Sequence, residues 1–145
     1  MISLNLVEVR KPTFLRMNVL KKQLKELIRI ENKSVGDIAI VLTSDAYLLQ
    51  VNQSFLKHDF FTDIITFDYC EDNVVSGDLL ISIERVLENS VKLNTSFENE
   101  FLRVVYHGVL HLCGYKDKKP TEISQMREKE SFYLDLFVSR ETNSH

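Results

Sequence analysis

The sequence predicts an α+β fold, one small mixed sheet of about four strands packed by about five helices. Three observations carry this. Short β-branched or alternating segments recur at Ile2–Val9, Val35–Thr43, Asp63–Tyr69 and Asp78–Ile83. Segments with apolar residues at helical spacing stand between and after them. Neither strict strand–helix alternation nor a Gly-rich phosphate loop is visible.

Each element has its own basis. Ile2–Val9 alternates apolar and polar residues, as a half-buried strand does. Over Thr13–Ile30, Met17, Leu20, Leu24, Leu27 and Ile28 recur near the helical period with lysines between them, an amphipathic helix. Val35–Thr43 is rich in Val and Ile and reads as a strand. Ser44 or Asp45 can cap a short helix running to Phe55. Asp63–Tyr69 is a β-branched and aromatic strand, Asp72–Gly77 a loop, and Asp78–Ile83 a second strand that forms a hairpin with the first. Ile83–Val91 is helical. Phe97–Cys113 is apolar on much of its surface and so is a buried helix, which Gly114 can stop in a left-handed conformation. Pro120 and Thr121 open a last helix with Ile123, Met126, Tyr133 and Phe137 on its inner stripe. Residues 1–145 fit one domain, with a core to Arg140 and a polar, frayed tail over 141–145.

Composition bounds the chemistry. With 44% hydrophobic and 27% charged residues, a chain of 145 residues buries a sizeable core without disulfides or a structural metal. A metal here would therefore do chemistry. The formal net charge of −3 argues against a non-specific nucleic-acid coat protein, although a local basic patch suffices to hold a phosphate backbone. The two cysteines, Cys70 and Cys113, are too few for a disulfide framework and suit a reducing compartment. No apolar run approaches the roughly 18–20 residues that span a bilayer, and Met1–Arg10 is not a secretory signal, so a cytoplasmic protein is expected.

The chemistry centres on His107-Gly-Val-Leu-His111-Leu-Cys-Gly114-Tyr-Lys-Asp117. Four helical residues turn through about 400°, so His107 and His111 share one face. Beyond Gly114 the chain can fold back and offer Asp117 as a third ligand. Three protein ligands leave a fourth position for water, the pattern of a catalytic zinc. Histidines at this spacing also occur as core residues with satisfied hydrogen bonds, but the following Gly and Asp favour a metal. The spacing matches that of metzincin proteases, H-E-x-x-H-x-x-G-x-x-H. Their general-base Glu falls here on Gly108, so a peptidase working that way would lack its base. Cys113 lies about 200° round the helix from His111 and should point away as a small apolar residue, and Cys70 is read the same way. His145 ends the tail and is read as inert. His58 lies in a polar-to-aromatic loop before a strand and stays a candidate.

At these residues the chain resembles the YbeY endoribonucleases, bacterial ribosome-maturation factors. His107-Gly-x-Leu-His111-Leu-x-Gly114-Tyr115 is similar to the family signature, which continues Asp-His where this chain has Lys116-Asp117. The third ligand is thus Asp instead of His, at the same spacing. A carboxylate ligates zinc too, and two His with one carboxylate also suit iron, manganese or nickel. The resemblance extends to Val51-Asn52-Gln-Ser-Phe55, to Thr62-Asp63-Ile-Ile-Thr66-Phe67 and to Gly77-Asp78-Leu-Leu-Ile-Ser82. Leu56 stands where the family has an Arg thought to handle the phosphodiester. Lys57, His58 and Arg103 are candidate helpers in its place.

The resemblance implies a single-strand-specific, metal-dependent endoribonuclease holding one zinc ion per chain. It would act in 3′-end maturation of 16S rRNA and in ribosome quality control, with ribosomal RNA and the small subunit as partners. Zinc lowers the pKa of a water it binds to about 7 and draws charge from a phosphoryl oxygen. Asp63 and Asp78 are candidates for orienting a ligand His. Lys116, Lys118 and Lys119 are candidates for phosphate binding. Phe60, Phe61 and Tyr115 could stack unpaired bases, but core packing is favoured for all three. The strongest rival reading is a non-catalytic ribosome-binding module in which the metal stabilises an RNA-docking surface. A metalloprotease lacks its base, and nothing points to the cosubstrate site an iron oxygenase needs.

Overall fold

A computed structural model describes the backbone of residues 1–143 and the side chains through Val138. The elements run β1 (Ile2–Val7), α1 (Met17–Ile30), β2 (Ser34–Thr43), α2 (Asp45–Phe55), β3 (Ile64–Asp68), β4 (Val74–Ser82), α3 (Ile83–Lys92), α4 (Phe97–Leu112) and α5 (Pro120–Asn143). The strands form one four-stranded sheet in the order β1-β2-β4-β3. The β1–β2 and β2–β4 pairs are parallel and the β3–β4 pair is an antiparallel hairpin, so the sheet is mixed as expected.

Several boundaries differ from the sequence reading, each for a physical reason. β1 stops at Val7 because Glu8 takes a left-handed φ of 62°. α1 begins at Met17, not Thr13, with Arg16 extended at its N-cap. β4 begins at Val74, so most of the expected Asp72–Gly77 loop is strand. Its opening residues, the β-branched Val74 and Val75, pair with Ser34 and Val35 of β2, and the strand runs on through Ser76 and Gly77, which have little strand propensity of their own. β1-α1-β2 is a parallel crossover, a unit that the missing alternation elsewhere had hidden. α5 is described to Asn143, three residues into the expected tail, and Ser144 and His145 lie outside the described residues.

Strand alternation sorts the two sheet faces. Ile38, Ile40 and Leu42 of β2 stand beside Gly77, Leu79 and Ile81 of β4, facing the main core under α1 and α4. Leu24, Leu27, Phe101, Val105 and Val109 close that core, each out of contact with water. Fully burying one such aliphatic side chain contributes about 1.5–3 kcal/mol. The opposite face is covered by α2 through a smaller cluster of Leu48, Val51 and Ile65. On α5, Met126, Tyr133 and Phe137 are buried as expected, but Ile123 is 43% exposed. It sits in the first helical turn, beside the connection after α4 has ended.

At Gly108, α4 lies close against the sheet. A Cβ there would stand 2.7 Å from Ile64 Cδ1 and 2.9 Å from Leu79 Cδ2. Glycine costs about 1 kcal/mol in a helix interior, so its presence reflects this approach. A polar staple ties the helix ends together. Glu31, at the end of α1, accepts hydrogen bonds from Tyr115 Oη at 2.7 Å, from Tyr133 Oη and from Lys129 Nζ at 3.4 Å. Burial alone would raise the Glu31 pKa; the Tyr133, Tyr115 and Lys129 contacts outweigh it and hold the carboxyl below its ordinary 4.5.

Two outcomes follow for stability. Gly108→Ala should lose about 1 kcal/mol, because an overpacking cost of about 1–3 kcal/mol exceeds the helix gain. Gly108→Glu, which also buries an unpaired charge, should lose several times that amount in urea unfolding. The Glu31 contribution should be complete above about pH 4.5 and vanish as pH falls through its lower folded-state value. The difference in Tm between wild type and Glu31→Gln should therefore be largest near neutral pH and close under acid.

Candidate metal centre

The site is assembled at the end of one buried helix and the turn that follows it. Ser96 caps α4 by accepting from the Asn99 N–H at 3.0 Å. At the other end Gly114 takes φ 110°, the Gly114 N–H donates to the His111 carbonyl at 3.0 Å, and the Tyr115 N–H reaches back to the Leu110 carbonyl at 3.1 Å. This paired closure stops the helix and reverses the chain. Asp117 is thereby carried back onto the face bearing both histidines. Its Oδ2 lies 3.2 Å from His107 Nε2 and 3.2 Å from His111 Nε2. One ligand atom from each of the three residues lies within 4.8 Å of the other two.

The imidazoles are oriented from behind. His107 Nδ1 stands 2.6 Å from Glu130 Oε2, and His111 Nδ1 stands 2.9 Å from the Tyr115 carbonyl oxygen. A carbonyl can only accept, so His111 carries its proton on Nδ1 and turns the Nε2 lone pair towards Asp117. The Glu130 carboxylate imposes the same tautomer on His107. Burial works to raise the Glu130 pKa, but hydrogen bonds from His107 and Arg103, with their charge, bring it below the ordinary value. Two Nε2 atoms and one carboxylate oxygen are a donor set that fits a divalent transition metal.

Glu130 was absent from the sequence candidates. It lies midway along the apolar stripe Met126, Tyr133 and Phe137, a buried acid where the period calls for an apolar residue. That misfit is the trace the sequence carried. Arg103, expected as a phosphate helper, is instead committed to carboxylates. It donates from Nη1 to Glu130 Oε1 at 2.8 Å and grips Glu100 through Nε and Nη2. Burial opposes its charge, but the two glutamates outweigh that and hold it protonated. Arg103 thus supports Glu130, which supports His107.

The three ligand candidates open into a cleft of about 600 Å³. One wall is Gly114–Asp117; the other is the α2–β3 loop and the edge strand β3. His58 and Lys116 border it, whereas Lys57, Lys118 and Lys119 do not. The Lys118 and Lys119 backbone N–H groups instead donate to Glu122 at the start of α5. Asp63 lies in the cleft. Burial raises its carboxyl pKa, and His107 and Arg103 pull it part of the way back. Both Nδ1 atoms are already engaged, so the orienting role expected of Asp63 is filled by Glu130 and Tyr115. Asp78 alternates with Gly77 and Leu79 and faces the α2 side of the sheet, away from the histidines. Cys113 packs at the margin of the core, with burial pushing its thiol up to about 12. The Cys70 thiol hydrogen-bonds the Ser76 and Leu112 carbonyls. The expected core placement of Phe60 and Phe61 does not hold, since they are 55% and 51% exposed on the loop beside the cleft.

Known proteins resemble this chain over most of its length. A family model described as endoribonuclease YbeY matches residues 7–138. An endoribonuclease YbeY of Porphyromonas gingivalis is 46% identical over 128 residues, covering 88% of this chain and 83% of its own. One of Flavobacterium psychrophilum is 50% identical over 111 residues, covering 77% and 79%. The solution structure of TM1509 from Thermotoga maritima superposes with a TM-score of 0.70 at 30% identity, over 97% of this chain and 93% of that one. The chain, with its paired histidines and returning carboxylate, belongs to the endoribonuclease YbeY family.

Proposed function

We propose that the chain is a zinc-dependent endoribonuclease that cleaves single-stranded RNA. Its setting would be 3′-end maturation of small-subunit ribosomal RNA and ribosome quality control, in the cytoplasm. Membership of the family supports the reaction class. One observation carries the site: two Nε2 atoms converge on one carboxylate oxygen while both Nδ1 atoms are held from behind. His107, His111 and Asp117 would hold one zinc ion. Bound there, zinc supplies a Lewis acid for a phosphoryl oxygen and a water made acidic enough to ionise near neutral pH.

The remaining work falls to the chain's own groups. Glu130 and the Tyr115 carbonyl fix the imidazoles before substrate arrives, so no reorganisation is needed on binding. Lys116, next to Asp117 and at the cleft, offers the phosphate backbone a cation in an otherwise acidic protein. Leu56, which also borders the cleft, brings no charge to it. The peptidase reading fails on geometry: position 108 lies against Ile64 and Leu79 and has no room for a general base.

Elemental analysis should find about one zinc per chain in wild-type protein and none in a His107→Ala, Asp117→Ala variant. His111→Ala should abolish cleavage of a single-stranded RNA while far-UV circular dichroism is retained. Cleavage that survives loss of the metal would refute the mechanism. Glu130→Gln should weaken zinc binding about 10–100-fold in chelator competition, through loss of the His107 partner. It should also lower Tm, because Arg103 loses a buried anion.

A further inference from the structure

We infer that His58 and Phe60 form a stacking platform for one unpaired nucleobase of the RNA strand at the mouth of the cleft. The inference rests on the endoribonuclease reading above and adds how the strand is gripped away from the metal. The two rings lie nearly parallel, 20° apart with centroids 5.1 Å apart, and both border the cleft that holds His107, His111 and Asp117. Phe60 is 55% exposed, so this ring pair offers flat apolar surface to solvent and not to the core.

The arrangement is built, not incidental. Asn52, 1% exposed at the end of α2, donates from Nδ2 to the Phe60 carbonyl at 2.9 Å. Its own carbonyl accepts from the His58 N–H at 3.0 Å and the Leu56 N–H at 3.2 Å. Gln53 Nε2 adds a bond to Asp59 Oδ1 at 2.6 Å. A single buried residue therefore sets both ends of the stacked pair. The other aromatics near the site are otherwise engaged. The Arg85 guanidinium lies 4.9 Å over Phe61, and Tyr115 is bonded to Glu31 with Lys129 Nζ 5.6 Å over its ring.

The chemistry selects the ligand. A pre-stacked, half-open π face accepts another flat ring, and base–aromatic stacking tolerates any base identity. A base inside a duplex has both faces covered already, so the platform admits an unpaired strand and rejects a paired one. Larger purine faces should be preferred at this one position over pyrimidines. No phosphate contact is needed from Leu56 for this grip.

The test uses zinc-loaded protein with a single-stranded RNA oligonucleotide for kcat and KM. A phosphorothioate 2′-O-methyl oligonucleotide of the same sequence serves for Kd by fluorescence anisotropy. Phe60→Leu keeps apolar volume but removes the π face. It should raise KM and Kd about tenfold or more, leave kcat within twofold and leave Tm unchanged. Phe60→Trp should restore binding. One abasic nucleotide moved along the strand should reproduce the loss at one position in wild type and add nothing in Phe60→Leu. Wild-type KM and Kd in Phe60→Leu, with cleavage intact, would overturn the platform alone. A wild-type protein that neither binds nor cleaves the RNA would overturn the endoribonuclease reading and the platform with it.

Discussion

The close approach of α4 to the sheet at Gly108 is the constraint on which the rest depends. With no side chain at that position, the helix settles against Ile64 of β3 and Leu79 of β4. Helical phase does the remainder. If residue 108 faces the sheet, residues 107 and 111 lie about 100° and about 60° round the helix from it in the same sense, only about 40° apart, and so share one flank. The observed 4.6 Å between the ring centroids confirms the shared flank, and it opens over the edge strand β3. The same contact forbids the carboxylate that a zinc protease would carry there. A packing requirement of the core thus decides which hydrolytic chemistry the helix can support.

Around that helix the protein spends buried charge on orientation. Glu100, Arg103 and Glu130 form a nearly water-free chain, with the carboxylates 1% and 2% exposed. Removing such charges from water is costly, and an apolar replacement of the same shape is often as stable. What an apolar replacement could not do is accept the His107 Nδ1 proton at 2.6 Å. Glu31 plays the parallel part on the other histidine. Its bond to Tyr115 Oη anchors the residue whose carbonyl holds His111. The two imidazoles are therefore fixed through α5 and through α1, elements distant in sequence from the motif itself.

The cleft divides its tasks between its walls. One wall, the turn after α4, carries the carboxylate and Lys116, and is tied down by the double hydrogen-bonded closure at Gly114. The opposite wall is the α2–β3 loop, pinned by Asn52 and presenting aromatic surface. Leu56 occupies this wall without charge, and Lys116, on the side of the candidate ligands, is the Lys or Arg side chain that borders the cleft among the described residues. On the proposed reading, such an arrangement would hold an RNA strand by its charge at one end and by its bases at the other.

The motif, its helix and the break at Gly114 were legible in the chain because they depend on local geometry. A 3.6-residue period places His107 above His111, and glycine alone accepts a φ of 110° without strain. The α+β class was legible too, from period-two and helical patterns. Other features needed three dimensions. The start of β4 read as loop because Val74 and Val75 stand between the turn-forming Asp72-Asn73 and Ser76-Gly77, and the pairing with β2, about forty positions earlier in the chain, carries the strand across them. Phe60 and Phe61 read as core because hydrophobicity says nothing of which side of a loop faces solvent. Arg103 shares a helix face with His107, yet whether it meets phosphate or glutamate depends on α5. By itself, then, the sequence singled out His107, His111 and Asp117 as candidate ligands, since helical spacing and the break at Gly114 are local, and its motifs carried the resemblance to the endoribonuclease family. Only the tertiary structure decided that Glu130, Tyr115 and Glu31 hold those ligands in place, because hydrogen bonds across 23 and 84 positions leave no periodic mark in a sequence.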